Sequence, residues 1–288
     1  MTDIRISIVM PAYNEAEPID KRLEEVQSMG DFHEIIVVDD GSSDETATLV
    51  EKHKDIRLVR HPYNIGNGAA VKSGIRAASG DSILLMDADG QHPASEIPNI
   101  LQYLHQYDMV VGARTLGSDA RWHRTFANWI FNTYASYIVG YPIPDLTSGF
   151  RLIRADIAKN FVYLLPNSYS YPTTLTVSLF RAGYSVKYHP FVSPRRQGGS
   201  SGIKPIQDGL RFLLTTTRLA VLFVPLKIFL PLSFFFIAVG GGYTIYTLAA
   251  FQRFSGLGGL LTTLGFFIFL IGLISEQIAM LRFMNSER

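Results

Sequence analysis

Apolar and polar positions alternate in blocks along residues 1–204. Short apolar runs of strand length are separated by amphipathic stretches of helix length. The predicted strands are Ile4–Met10, Glu34–Asp39, Ile56–Arg60, Ser82–Met86 and Asp108–Gly112, and the predicted helices lie near Ile19–Met29, Asp44–Lys54, Gly68–Ser79 and Ser95–Gln106. This alternation predicts an α/β domain with a mainly parallel sheet that is covered on both faces.

The last part of the chain has a different pattern. Residues 228–252 and 254–275 contain no charged side chain. Each run exceeds the roughly 20 residues that cross a hydrocarbon core of about 30 Å. Buried core helices are the alternative, but they seldom run so long without a charge. The pattern predicts two membrane-spanning helices, and Gly240–Gly242, Gly265 and Gly272 suit close helix packing.

A short segment with Arg253 joins the two spans, so they form a hairpin with both ends on one side. The basic residues on the other side are Arg211, Arg218, Lys227, Arg282 and Arg288. The positive-inside rule then predicts a multi-pass protein of the cytoplasmic membrane, with the first domain in the cytoplasm.

A stripe of apolar residues with one threonine also recurs at helical spacing just before the hairpin. They are Ile206, Leu210, Leu213, Leu214, Thr217 and Val221. This stripe predicts a helix in the membrane surface, with a core-facing helix as the alternative. The predicted organisation is a domain over residues 1–204, an interfacial region over 205–226, and a hairpin with a short cytoplasmic tail over 227–288.

Composition removes several classes of function. The chain has no cysteine, which excludes disulfides, thiolate metal sites and a cysteine nucleophile. Its formal net charge is +1, so we expect no nucleic-acid partner. The histidines show no metal-ligand spacing, and His92 is interpreted as a loop residue rather than a ligand. Homo-oligomerisation is left open.

Polar segments follow four consecutive predicted strands. They read PAYNE from Pro11, DDGSSDET from Asp39, HPYNIGNGAA from His61 and DADGQH from Asp87. Each segment alone is compatible with turn chemistry, and Asp44 is interpreted as a helix cap. Because ligands bind beyond the carboxyl ends of parallel strands, the four segments together predict one binding crevice.

Asp87 and Asp89 are separated by one residue at the end of an apolar strand. Two carboxylates this close repel one another, and a bound cation offsets the repulsion. Aspartate oxygens suit a hard divalent ion that also takes substrate phosphates. The pair therefore predicts a Mg²⁺ or Mn²⁺ site.

These motifs, together with TSGFR over residues 147–151, resemble the inverting family 2 glycosyltransferases of the GT-A fold. They most resemble the polyprenyl-phosphate glycosyltransferases, which include dolichol-phosphate mannose synthase and bacterial undecaprenyl-phosphate enzymes. The motifs extend over residues 4–204, and the two spans match the membrane-anchored branch. The resemblance implies a Rossmann-like GT-A domain. It also implies inverting, metal-dependent transfer of a sugar from a UDP- or GDP-linked donor to a polyprenyl phosphate at the cytoplasmic membrane face.

The resemblance also implies roles for individual residues. The nucleotide-sugar contacts are expected from Pro11, Tyr13, Glu15, Asp39, Asp40, Asp87 and Asp89. The metal ligands are expected to be Asp87, Asp89 and Gln91. The acceptor phosphate is expected to contact Arg114, Arg124 and Asn128. The residues expected at the reaction centre are Asp89, Arg114, Asp145 and Arg196, with Arg195 as an equal alternative for the arginine that closes over the donor.

Asp145 precedes the TSGFR segment, and no acidic pair follows it. Soluble and polysaccharide-forming relatives place an acidic base near this point, to deprotonate a sugar hydroxyl. A phosphate acceptor is already ionised near neutral pH and requires no strong base. Asp145 is therefore expected to orient the acceptor or to act as a weak base, with a loop or helix cap as the alternative.

Three other functions fit parts of the sequence. GNGAA resembles a dinucleotide fingerprint, but it lacks the third glycine and follows the third strand, which disfavours a dehydrogenase. A membrane-bound synthase that extends a glycan is disfavoured by the presence of only two spans. A non-catalytic sugar-nucleotide-binding membrane protein is disfavoured because both Asp87 and Asp89 are present. The motifs are shared by glucose, mannose and N-acetylhexosamine donors, so the sugar stays open.

Overall fold

The computed structural model describes residues 4–115, 122–194, 213–218, 220–222 and 224–286, without the side chains of 122–128 and 280–286. The chain divides into two compact units, Met1–Thr215 and Thr216–Arg288. The predicted boundary at residue 204 lies outside the described residues, and the three-part division stays a prediction.

The first unit is built on a seven-stranded sheet. Its strands are β1 (Ile6–Ala12), β2 (Glu34–Asp39), β3 (Ile56–Arg60), β4 (Ser82–Leu85), β5 (Met109–Arg114), β6 (Arg151–Arg154) and β7 (Val186–Phe191). Their order in the sheet is β3-β2-β1-β4-β6-β5-β7. Only β6, among these strands, runs antiparallel to its neighbours β4 and β5. The mainly parallel α/β fold is therefore confirmed.

Helices cover both faces of this sheet. They are α1 (Ala16–Gln27), α2 (Thr46–Glu51), α3 (Asn67–Ala77), α4 (Ile97–Leu101), α5 (Trp122–Val139), α6 (Ala155–Phe161) and α7 (Tyr171–Arg181). Because side chains alternate along a strand, β1 contributes Val9 to one apolar core and Ile8 and Met10 to the other. A sheet with two buried faces explains why its central strands are nearly continuous apolar runs.

The five predicted strands are all present, and the helices predicted from residues 44 and 95 are shorter than expected. β1 continues through Pro11, beyond its predicted end. The ladder between β1 and β4 ends at the Val9–Leu85 pair, so the missing N–H of Pro11 costs no hydrogen bond there.

β6 and β7 were not predicted. Arg151 interrupts the apolar pattern of β6, and β7 is an edge strand that tolerates Lys187 and Pro190.

The second unit contains two helices that are long and apolar enough to cross a membrane, α8 (Leu226–Phe251) and α9 (Gly256–Ser286). They pack at Gly240, where a Cβ would lie 2.6 Å from the Thr262 nitrogen, and at Gly265, whose carbonyl accepts a hydrogen bond from Ser233 Oγ (2.8 Å). Close packing is thus confirmed for these two glycines and for Gly272, where a Cβ would lie 2.6 Å from Phe229 Cβ. Gly241 and Gly242 face open space instead.

Residues 213–218 and 220–222, which precede α8 in the chain, are helical. Residues 205–212 of the predicted interfacial helix lie outside the described residues. Its location in a membrane surface stays a prediction.

Candidate active site

The loops after β1 and β2 are pinned together at the carboxyl edge of the sheet. Asn14 adopts a left-handed backbone (φ 53°), a conformation that asparagine tolerates better than most residues. Its N–H donates to Ser42 Oγ (2.9 Å), and its Oδ1 accepts from the Ser43 N–H (2.9 Å). Tyr13 is left exposed beside this junction. The turn thus presents Tyr13 at the crevice.

The predicted helix cap Asp44 is confirmed. Its carboxylate accepts hydrogen bonds from the N–H of Ala16 at the start of α1 (3.1 Å) and of Thr46 at the start of α2 (3.0 Å). Asp44 therefore stabilises two helix N-termini at once.

Asp39 and Asp40 are both buried but have different surroundings. Asp40 accepts from the N–H groups of Ile65 (3.0 Å) and Gly66 (2.8 Å), and its Oδ1 lies 2.6 Å from His61 Nδ1. Its carboxylate thus organises the NIGNG loop. Asp39 accepts from the Ser42 N–H (3.0 Å), and its Oδ2 lies 3.3 Å from Arg60 Nε.

A pocket of about 400 Å³ opens beside these two aspartates. Its lining residues are Gly41, Ser42, Arg60, His61 and Pro62. Gly41 has φ +72°, and a Cβ there would lie 2.5 Å from the Tyr63 backbone carbon. Only glycine fits this close approach of the loops after β2 and β3.

The loop after β4 carries Asp87, Asp89 and Gln91. Asp89 is buried, and its Oδ1 accepts from the Gln91 N–H (3.0 Å). The Asp87 side chain stays one third exposed, at 33%. The turn therefore brings two carboxylates to one end of β4, as the sequence predicts.

His92 closes this loop and is buried. Its Nδ1 accepts a hydrogen bond from the Asp87 N–H (2.9 Å), and its ring stacks on Phe150 with centroids 5.2 Å apart. Burial lowers the pKa of His92 to about 4, against the opposing effect of Asp89. The ring is therefore neutral near pH 7.

The TSGFR segment reaches the same place because β6 is antiparallel. Arg151, which ends TSGFR and begins β6, pairs with Leu85 at the end of β4 and with Val111 of β5. A Cβ on Gly149 would lie 3.0 Å from Asp87 Oδ2 and 3.0 Å from the Tyr171 hydroxyl. Gly149 thus lets the backbone of this segment lie against the Asp87 carboxylate.

Arg114 and Asp145 form a bidentate ion pair at the end of β5. Arg114 Nε donates to Asp145 Oδ2 (2.7 Å) and Nη2 donates to Oδ1 (2.9 Å) and to Thr147 Oγ1 (2.6 Å). Burial alone raises the pKa of Asp145, but the hydrogen bonds and charge of Arg114 outweigh this and hold the pKa below its usual value. Asp145 is therefore an ionised carboxylate that orients Arg114.

Arg151 is a buried residue whose role the sequence did not indicate. Its guanidinium donates to the carbonyls of Ser148 (2.7 Å) and Leu146 (3.1 Å) and to Thr176 Oγ1 (2.7 Å). Among the described residues it forms no ion pair with a carboxylate. Its position after TSGF and directly before the buried apolar pair Leu152 and Ile153 was the signal that could have identified it. Arg151 shapes the segment between Asp145 and Gly149.

Residues 7–161 match the glycosyl transferase family 2, and residues 224–281 match the GtrB C-terminal hairpin. The first match covers more than half of the 288 residues. The chain is a family 2 glycosyltransferase. The second match corresponds to the α8–α9 hairpin.

Several curated proteins are similar to the glycosyltransferase in sequence. A dolichyl-phosphate β-glucosyltransferase of Trichomonas vaginalis is 33% identical over 54% of this chain and 55% of its own length. An undecaprenyl-phosphate mannosyltransferase of Micrococcus luteus is 26% identical over 69% of this chain and 87% of its own length. An undecaprenyl-phosphate 4-deoxy-4-formamido-L-arabinose transferase of Proteus mirabilis is 28% identical over 58% of this chain and 56% of its own length. The chain thus spans about half the length of the first and third relatives.

The fold is also found in crystal structures. Glucosyl-3-phosphoglycerate synthase from Mycobacterium tuberculosis, in complex with UDP, has a TM-score of 0.61 at 19% identity, over 76% of this chain and 80% of that one. The same enzyme in complex with Mn²⁺, UDP and its product has a TM-score of 0.59 at 18% identity, again over 76% and 80%. These similarities confirm the GT-A fold of the glycosyltransferase.

Some predicted site residues of the glycosyltransferase cannot be compared with the structure. Arg195 and Arg196 lie outside the described residues. Arg124 and Asn128 belong to α5, but their side chains are not described. The roles of these four residues stay predictions.

The chemistry of Asp87, Asp89 and Gln91 suits a hard divalent cation, because all three side chains offer oxygen. In the described part of the chain, no group of three or more histidine or acidic side chains is arranged around a common metal position. A cation at Asp87 and Asp89 would therefore need further oxygens, such as those of a diphosphate.

Gly149→Ala tests the contact between TSGFR and Asp87. We expect about a tenfold loss of kcat/KM, because the new Cβ displaces the Asp87 carboxylate, which the sequence predicts to be a metal ligand, and disturbing the support of such a ligand typically costs 10–100-fold. The measurement is steady-state sugar transfer by purified protein. Gly241→Ala is the control, since a Cβ there meets nothing within 4 Å. Equal kcat/KM for both variants would show that the contact is unimportant.

Proposed function

We propose that this family 2 glycosyltransferase transfers a sugar, with inversion, from a UDP- or GDP-linked donor to a polyprenyl phosphate at the cytoplasmic membrane face. The observation that carries the proposal is the combination of a GT-A site and a membrane-type hairpin in one chain. The relatives from Trichomonas, Micrococcus and Proteus all have names that specify a dolichyl- or undecaprenyl-phosphate enzyme.

The donor binds at the edge where β1, β2 and β4 end. The nucleotide lies against Pro11, Tyr13 and Glu15 and in the pocket beside Asp39 and Asp40. The exposure of Tyr13 and the pocket volume of about 400 Å³ support this location. UDP complexes of the structurally similar Mycobacterium enzyme support a nucleoside diphosphate as the carrier of the donor sugar.

Asp87, Asp89 and Gln91 hold a Mg²⁺ or Mn²⁺ ion together with the donor diphosphate. When bound, this ion neutralises the charge that develops on the leaving nucleoside diphosphate. Arg195 or Arg196 adds a guanidinium on the donor side. The Mn²⁺ complex of the Mycobacterium enzyme supports a divalent ion in this fold.

Arg114, Arg124 and Asn128 bind the acceptor phosphate. Arg114 carries a planar guanidinium that matches phosphate geometry, and Asp145 holds it in one orientation. Its Nη1 forms no hydrogen bond to any described residue and so remains available to a phosphate oxygen. The phosphate attacks the anomeric carbon as an ionised nucleophile, which is why Asp145 can stay paired rather than accept a proton.

Helix α5 supports an acceptor that lies in a membrane. Residues 125–144 contain no charged side chain. Trp129 is 61% exposed, and Ile130 and Tyr137 are also exposed on this helix. Exposed tryptophan and tyrosine suit a membrane–water interface, where one end of the ring is apolar and the other is wet.

The hairpin predicts which side of the membrane each segment faces. We expect a cysteine at Ser286 to be protected from a membrane-impermeant maleimide in intact cells, and a cysteine at Phe254 to be labelled. Phe254 is a suitable site because it is exposed, whereas Ser255 Oγ accepts the Gly258 N–H at the start of α9. Permeabilised cells provide the control. Labelling of the Ser286→Cys variant but not of the Phe254→Cys variant would indicate the opposite topology.

A donor and acceptor panel tests the function as a whole. Purified protein receives UDP- and GDP-linked glucose, mannose and N-acetylglucosamine with radiolabelled sugars, together with undecaprenyl phosphate and a divalent ion. We expect one donor to give a labelled product that extracts into organic solvent. A labelled glycan polymer would favour the synthase alternative. Donor binding without any transfer would favour the non-catalytic alternative.

A further inference from the structure

His92 lies directly after the three proposed metal ligands, but it contacts Asp87 rather than the crevice. It is only 4% exposed. Its Nδ1 is 2.9 Å from the Asp87 backbone nitrogen. A backbone N–H can only donate, so Nδ1 must accept and the ring must carry its proton on Nε2.

In this tautomer the His92 ring also faces the side chain of Asp87. The Nε2–H group lies 3.7 Å from Asp87 Oδ2, so the protonated edge of the ring faces the carboxylate. One imidazole therefore holds the backbone of Asp87 and faces its side chain from the interior. On another side, the carboxylate lies beside Gly149, where an added Cβ would come within 3.0 Å of Asp87 Oδ2.

The ring itself is held in one orientation. It stacks on Phe150 at an interplanar angle of 17° and meets the edge of Phe191 with centroids 6.2 Å apart. The His92 carbonyl accepts from Arg22 Nη1 (3.3 Å), and Arg22 pairs with Glu25 (2.7 Å). Because the ring is fixed in this way, its hydrogen bond to the Asp87 N–H holds the Asp87 backbone in one position.

We propose that His92 is a positioning residue that holds Asp87 where it can bind the divalent ion and the donor diphosphate. The inference rests on the proposed metal site. Without the imidazole, the Asp87 N–H loses its acceptor in a partly buried place, and such a loss is costly enough to shift the loop. The consequence is weaker metal binding rather than loss of the fold.

The positioning role of His92 is tested by measuring Mn²⁺ binding to full-length protein in detergent. Free Mn²⁺ is measured by electron paramagnetic resonance in the presence of UDP or of GDP. His92→Leu keeps the volume but removes the acceptor, and we expect its Kd for Mn²⁺ to rise about tenfold. His92→Asn places Oδ1 where Nδ1 was and should restore Kd to within about threefold of wild type. Phe150→Leu removes the stacking alone. It should lower the thermal midpoint and raise Kd by less than His92→Leu does, because Nδ1 is still present and Phe191 still contacts the ring.

The outcomes separate the inference from the metal site on which it rests. Wild-type protein that binds no Mn²⁺ with either nucleotide would overturn both. Wild-type binding with an unchanged Kd in His92→Leu would overturn the role of His92 alone. An equal loss in His92→Leu and His92→Asn, or a loss in Phe150→Leu as large as in His92→Leu, would also overturn it, because packing would then explain the effect. The expected order of the three variants supports it.

Discussion

Asp89→Asn is expected to lower kcat/KM for sugar transfer by roughly 10³-fold while the fold stays intact. The asparagine keeps an Oδ1 that can accept the Gln91 N–H, so the turn after β4 survives. It loses the negative charge that holds a divalent ion against the donor diphosphate. Removal of a single electrostatic contact to the transition state typically costs 10²–10³-fold, and weaker ion binding adds to this.

Steady-state transfer at varied Mn²⁺ concentration measures this loss, and the thermal midpoint measures the fold. Asp20→Asn is the matched control, since Asp20 is about half exposed and pairs with His53 rather than with a residue of the loop after β4. Near-wild-type turnover of Asp89→Asn in a chelator-treated buffer would contradict the metal proposal. A large fall in the thermal midpoint would mean that Asp89 is needed for the fold instead.

Arg114→Lys is expected to lower kcat/KM for polyprenyl phosphate by about 10²-fold and to leave donor affinity unchanged. Lysine keeps the charge but cannot form the forked pair with Asp145 or match a phosphate bidentately. Alanine is a poor choice here. Asp145 is 5% exposed, and breaking a buried ion pair by removing one partner costs about 3–5 kcal/mol.

Acceptor kinetics and nucleotide binding measure the two halves of this prediction. Asp145→Asn should give a loss in the same direction, and the double variant should lose less than the product of the two single effects, since the residues act as a pair. Arg154→Lys is a matched control, because that arginine pairs with Asp108 and Asp156 on the exposed surface. A selective loss of donor affinity in Arg114→Lys would instead assign Arg114 to the nucleotide side.

The local pattern of apolar and polar residues was sufficient to predict strands β1 to β5. β2 and β3 match their predicted bounds. β2 is a buried parallel strand and therefore an apolar run, whereas β3 is a partly exposed edge strand with Ile56, Leu58 and Val59 between charged residues. β6 could not be recognised in this way. It begins with Arg151, whose charge is tolerated only because the carbonyls of Leu146 and Ser148 and the hydroxyl of Thr176 surround it. Those partners are created by the fold.

The candidate site shows the same division. Asp87 and Asp89 are separated by one residue in the sequence, so their proximity and the metal chemistry proposed for them could be predicted from spacing alone. The pairing of Arg114 with Asp145 spans 31 residues, and it exists only because β6 folds back beside β5. His92 was correctly predicted to be a loop residue. Its hydrogen bond to Asp87 depends on a tautomer and a ring orientation that Phe150 and Phe191 impose.

The sequence by itself determined the α/β class, the polar crevice at the ends of β1 to β4 and the two apolar spans. Each of these depends on local periodicity or on residues close together in the chain. The tertiary structure decided that Asp40 organises the NIGNG loop, that Asp145 is committed to Arg114 and that Gly149 lies against Asp87. These depend on contacts between distant segments. The Asp40 contact follows from the pairing of β2 with β3, and the other two follow from the insertion of the antiparallel β6 between β4 and β5.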